Sequence, residues 1–106
     1  MKVIRVTVGP VVFAEDKDQA RELRMRKLLP ALEDGGRVIL DFRGVKYATQ
    51  SFVHALVGEA IKRYGDEILE RIEFRNCSKQ LRSVIELVVD YSLSGFPGRT
   101  MRARAE

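Results

Sequence analysis

Cysteine is nearly absent from this chain. Cys77 stands alone, which excludes an intramolecular disulfide framework and a cysteine-built zinc site and makes a reducing cytoplasm the expected compartment. Tryptophan is missing, and no aromatic residue is interleaved with the basic clusters "ARELRMRK" and "GRTMRARAE". The stacking platform of a single-stranded nucleic-acid binder is therefore lacking, and nucleic acid is not the expected partner. No apolar run reaches the length of a membrane span, and the first residues lack a signal-peptide apolar core, so no membrane contact is expected. Glycine-rich phosphate loops of the P-loop or dinucleotide type are absent, as is the "GxSxG" elbow of serine hydrolases. No cofactor is implied.

What remains is a small chain with the balance of a globular domain. Its 106 residues suffice for one core, with 45% apolar and 32% charged residues and a net charge of +4. That charge permits an acidic partner but is modest enough to reflect solvated helix faces. Residues 1–93 read as the domain. Residues 94–106, "SGFPGRTMRARAE", form a basic tail expected to fray or to extend a partner-binding surface.

Along the chain, "KVIRVTV" is rich in β-branched residues and reads as a strand. Gly9-Pro10 turns the chain, and "VVF" is expected to close a hairpin or lie at an edge. Asp16 or Asp18 caps a helix over "DQARELRMRKLLPALED", which Pro30 should bend or restart and Gly35-Gly36 should end. "RVILDF" is a continuous apolar run, the pattern of a parallel strand covered on both faces. "RGVKYATQ" is a loop, a second helix spans about Ser51 to Tyr64 with Phe52, Ala55, Leu56, Ala60 and Tyr64 toward the core, and Gly65 closes it. "ERIEFRN" is a third strand, and Asn76 or Ser78 caps a last helix. Strand, helix, strand, helix, strand, helix is an α/β order, a mostly parallel central sheet with helices packed on it.

Ligands and partners of such sheets meet the protein beyond the carboxyl ends of the strands. Asp41, the segment from Thr49 to His54, and Asn76 and Ser78 fall there. Ser51 at the start of the second helix can meet an anion or carry a phosphate; the simpler reading is that Ser51 or Thr49 caps the helix. Ser51 and His54 are three apart, yet no orienting acid or oxyanion hole accompanies them, so catalysis is not expected. Asp41 lacks a second nearby metal ligand and is read as anchoring the "RGV" turn. Gly58, inside a helix where glycine costs about 1 kcal/mol against alanine, marks a close approach.

An apolar strand ending in Asp41, the turn Gly44-Val45, the pair Ser51-Phe52 and Gly58 occur here in one order and spacing. With them, roughly residues 20–92 resemble the STAS-like domain of unknown function found in prokaryotic proteins. That family is similar to STAS domains, the anti-anti-sigma factors and the cytoplasmic domains of sulphate transporters. The resemblance implies an α/β sandwich that docks partners without chemistry of its own. Ser51 matches the serine that a partner kinase phosphorylates in anti-anti-sigma factors. Thr49 and Gln50 stand in place of the Asp-Ser of their "DSSG", and Phe52 in place of its glycine. Val53, His54 and Ala55 stand where the STAS-like family often has acids.

The expected function is thus a non-enzymatic regulatory or protein-interaction module with a protein partner such as a kinase-like ATPase. The expected contact residues are Asp41, Thr49, Gln50, Ser51, Phe52, His54, Asn76 and Ser78, with no metal. The alternative is a small-ligand, nucleotide or anion module using the same helix start.

Overall fold

The computed structural model describes residues 2–9 and 11–94. Strands β1 (Val3–Thr7), β3 (Arg37–Asp41) and β5 (Ile72–Arg75) form a parallel sheet in the order β1-β3-β5. Each neighbour is reached through a helix, as parallel pairing demands. The first helix covers residues 17–33 and the second residues 50–64. A 3-10 segment (Asp66–Arg71) leads into β5, and the last helix is Lys79–Ser94. No helix among the described residues is long and apolar enough to cross a membrane. The expectation of a basic tail falls, beyond Ser94, outside the described residues.

The alternation of the strands decides which face is buried. Ile4, Val38 and Ile72 are in register, as are Val6, Leu40 and Phe74, and these rows lie with the helices in one apolar cluster. Leu28 and Leu32 of the first helix, Phe52, Leu56 and Ala60 of the second and Leu81, Ile85 and Val88 of the last complete that core. The opposite row of Val3, Arg5, Arg37 and Glu73 is exposed, with Ile39 half-buried among them. The sheet is therefore covered by helices on one face, not on both as the run "RVILDF" implied. Ile39 alone made that run look continuous, and charged neighbours in register with it keep its face open to water.

"VVF" does not close a hairpin either. Strand β2 (Phe13–Ala14) pairs in parallel with β4 (Tyr47–Ala48), two residues inside the expected "RGVKYATQ" loop. This small ladder joins the two segments that enter the first and second helices.

The first helix begins with Asp16, whose carboxylate accepts from the Asp18 and Gln19 amides. It passes through Pro30 without a break, because a π segment (Arg24–Leu28) precedes it and the Leu29 N–H reaches back to the Arg24 carbonyl. The wider turn relaxes the approach of the proline ring to the preceding carbonyls. The helix stops as expected. Gly35 takes a left-handed φ of 83°, its N–H donates to Leu32 O, and Gly36 N–H donates to Ala31 O. Arg71 adds its guanidinium to the same end, donating to Leu32 O and Gly36 O, a cation placed where the helix dipole favours one.

The one-sided sheet predicts unequal effects of truncation. Leu40→Ala should cost about 2–5 kcal/mol, whereas Val3→Ala on the open face should change stability by no more than about 0.5 kcal/mol. Urea unfolding followed by circular dichroism measures both, and equal losses would mean that the outer face is packed like the inner one.

Candidate functional site

The loops that follow the three strands meet at one rim, and a single carboxylate holds them there. Asp41 is 6% exposed. Its Oδ1 accepts from the Arg43 N–H at 3.0 Å and from the Asn76 side-chain amide at 2.8 Å, and its Oδ2 accepts from Arg5 at 2.5 Å. Arg5 belongs to β1, Asp41 to β3 and Asn76 follows β5, so one side chain ties the whole sheet. Asn76 reaches it from a left-handed backbone, φ 61°, a conformation asparagine tolerates. The Asn76 hydrogen bond above all holds the Asp41 carboxyl below its ordinary pKa; burial opposes it, and the Arg43 amide and Arg5 add to it.

A second set of contacts fixes the entry to the second helix. Ser78 Oγ caps the last helix by accepting from Leu81 N–H at 3.1 Å and donates to Lys46 O at 2.7 Å. The Gln80 amide lies beside β4 as a further strand would, accepting from Ala48 N–H at 3.2 Å and donating to Ala48 O at 3.5 Å. Thr49, placed by this clamp, accepts the Phe52 N–H on Oγ1 at 3.1 Å and is the cap. Ser51 is left in the first turn with its side chain exposed.

Two surfaces flank that turn. On one side Val12, Phe13 and Tyr47 are large, exposed apolar residues. The rings of Phe13 and Tyr47 lie 6.1 Å apart, and a depression of about 530 Å³ runs from them past Thr49 and Gln50 to Gln80 and Val84. On the other side an open cleft of about 340 Å³ is lined by Lys17, Arg21, Arg24, Ser51, His54 and Glu59 together with Ala55. Lys17, Arg21 and Arg24 stand at i, i+4 and i+7, one stripe of the first helix. The second helix carries a π segment (His54–Gly58) facing them, and Arg24 donates to the Ala55 carbonyl within it at 2.9 Å.

His54 explains Gly58. A Cβ at position 58 would lie 2.5 Å from His54 Cδ2. The imidazole is stacked on Tyr91 of the last helix, ring centroids 5.9 Å apart and planes 18° apart, with Nε2 4.0 Å from Glu59. The close approach expected at this glycine is that of a side chain on its own helix.

Of the expected contact residues, the structure brings Thr49, Gln50, Ser51 and His54 together on the surface. Phe52 does not join them: it is 0% exposed, because its helical phase is that of Leu56 and Ala60. Asp41 and Asn76 are bonded to each other; Asp41 is buried with both carboxylate oxygens accepting from N–H donors, whereas Asn76 is exposed beside it. Ser78 spends its hydroxyl on Lys46 and the helix cap. Among the described residues no three His, Cys, Asp or Glu side chains gather as a metal site. Cys77 lies elsewhere, in a groove with Phe74, Ile85 and Val89, where burial pushes its thiol pKa up. Sequence reasoning missed Val12, Phe13 and Tyr47, and also Lys17, Arg21 and Arg24. The helical spacing of the three cations was legible; that they face Ser51 was not.

The family follows from comparison. A family model described as a STAS-like domain of unknown function matches residues 19–82, and the chain belongs to that family. The match runs from the first helix into the first turn of the last one, leaving Val12, Phe13 and Lys17 outside it. No curated protein and no solved structure matches the chain.

Two predictions follow from these ties. In a His54→Ala background, Gly58→Ala should stabilise by about 1 kcal/mol, the helix-propensity difference. In the wild-type background the gain should vanish or reverse, since the added methyl drives the imidazole off Tyr91. Identical effects in the two backgrounds would refute the contact. For Asp41 the folded pKa lies below the unfolded one, so its stabilisation is complete above the unfolded value of about 3.9 and is lost as pH falls through the folded value. The stability gap between wild type and Asp41→Asn should therefore narrow once the pH drops below about 4; urea midpoints across that range test it, and a gap that stays constant counts against the tie.

Proposed function

We propose that this STAS-like chain is a non-enzymatic regulatory module that docks a protein partner through the loop and helix start from Thr49 to His54. The observation that supports it best is the exposed trio Val12, Phe13 and Tyr47 beside the exposed first turn of the second helix. Contiguous exposed apolar groups mark interaction surfaces, and aromatic residues are enriched at interface cores. Gln50, Thr49 and Ser51 supply a polar rim to that core. The ties through Asp41, Ser78 and Gln80 hold the segment rigid, so a partner meets it at little ordering cost.

Ser51 is the natural point of regulation in this reading, and a kinase-like ATPase is the partner class proposed to act on it. Thr49 carries the capping bond, so Ser51 can change without removing the cap. A phosphate there adds about 1.5 to 2 negative charges. The helix dipole tolerates charge in the first turn, so the fold survives while an apolar or acidic partner surface is repelled.

The reading is tested by titrating the chain against candidate ATPase partners by calorimetry. Tyr47→Ala and Ser51→Glu should each weaken the complex tenfold or more, about 1.4 kcal/mol, while Ser51→Glu leaves unfolding stability within about 0.5 kcal/mol. An affinity untouched by Tyr47→Ala would remove the docking surface, and one untouched by Ser51→Glu would remove the switch.

A further inference from the structure

The cleft between the first and second helices holds more positive charge than the fold uses. Arg5 pairs with Asp41, Arg26 with Glu22 and Arg75 with Glu73. Among the described residues no carboxylate pairs with Lys17, Arg21 or Arg24. Glu59 is the one acid lining the cleft, and the side-chain nitrogen within 4.0 Å of it is His54 Nε2. Like charges one turn apart destabilise a helix, so the stripe of cations is held together against its own repulsion.

We propose that this cleft is a binding site for a phosphate dianion, free or carried by a small molecule. Three cations less the one carboxylate leave two positive charges, which a phosphate group of about −1.5 to −2 neutralises. Guanidinium groups present a planar fork of N–H donors that matches phosphate oxygens. Arg24 is already positioned for this: one of its nitrogens is engaged with the Ala55 carbonyl at 2.9 Å while the residue lines the cleft. The Ala55 carbonyl that accepts from Arg24 lies in the π segment of the second helix, and such segments occur frequently at functional sites. The opposite wall is equally set. Tyr91 and Gly58 hold the His54 ring in place, and the exposed Ser51 hydroxyl adds a neutral donor. At about 340 Å³ the cleft falls in the lower range of small-molecule sites and has room for a substituent beyond the phosphate itself. The site is carried by these side chains across the two helices; it shares Ser51 and His54 with the proposed docking segment, whereas Phe13 and Tyr47 lie outside it.

The test uses the intact chain, with the Nε–Hε signals of Arg21 and Arg24 followed by NMR. Inorganic phosphate and, separately, adenosine monophosphate are titrated against sodium chloride of matched ionic strength. Saturable shifts of both signals are expected with phosphate but not with chloride. Tighter saturation by the nucleotide would identify a monoester as the source of the group, and saturation by phosphate alone would identify the free anion. Arg21→Gln and Lys17→Gln, both at exposed positions, should each weaken binding at least fivefold, whereas Arg26→Gln on the same helix outside the cleft should leave it unchanged. Shifts that follow ionic strength alone, or an equal loss in Arg26→Gln, overturn the proposal. Tyr47→Ala should leave phosphate binding intact, so failure here and failure of the partner-docking reading are separately visible.

Discussion

A buried carboxylate joins the three strands of this protein at the end where they stop. A charge removed from water is costly unless its lone pairs are met by donors, and a half-satisfied one would be worse than none. Asp41 meets that condition with one donor from each strand's neighbourhood: the Arg5 guanidinium, the Arg43 amide and the Asn76 side chain. The consequence is positional. The segments after β1, β3 and β5 are pinned at a common rim, and every residue of the candidate site is carried by one of those segments or by the helix it leads into.

From that rim, order propagates through neutral hydrogen bonds. Ser78 and Gln80, at the start of the last helix, hold Lys46 and Ala48. That placement lets Thr49 cap the second helix and leaves Ser51 outward. The two long helices then adapt to each other through paired π segments, with Arg24 bridging to Ala55. His54 is pinned between Gly58 and Tyr91. The candidate residues thus sit on short loops and first turns whose backbone is held by a rigid scaffold, the usual division of labour in α/β proteins.

The helix start divides two chemically different surfaces. An aromatic patch lies on the side of β2 and β4, and a cationic cleft lies on the side of the first helix. Because Ser51 lines the cleft and adjoins the patch through Gln50, charge introduced in the cleft is felt at the edge of the patch within a Debye length of about 8–10 Å. On the two proposals made above, a bound anion and a docked partner would influence each other without any movement of the backbone.

Local chemistry was legible in the sequence wherever its cause lies within a few residues. The strand and helix order, the Asp16 cap, the Gly35-Gly36 stop, the anchoring of the turn after Asp41 and the presence of a close contact at Gly58 all follow from periodicity, capping and turn preferences. Periodicity also placed Phe52 in the core beside Leu56, which its nomination as a contact residue ignored. Tertiary structure decided the rest, because those features depend on residues about thirty positions apart meeting in space. It put β2 beside β4, set Arg5 and Glu73 beside Ile39 on the open sheet face, and turned the Lys17, Arg21 and Arg24 stripe toward Ser51. No window of the sequence contains both members of such a pair, and only the closing of the β-helix-β crossovers selects one.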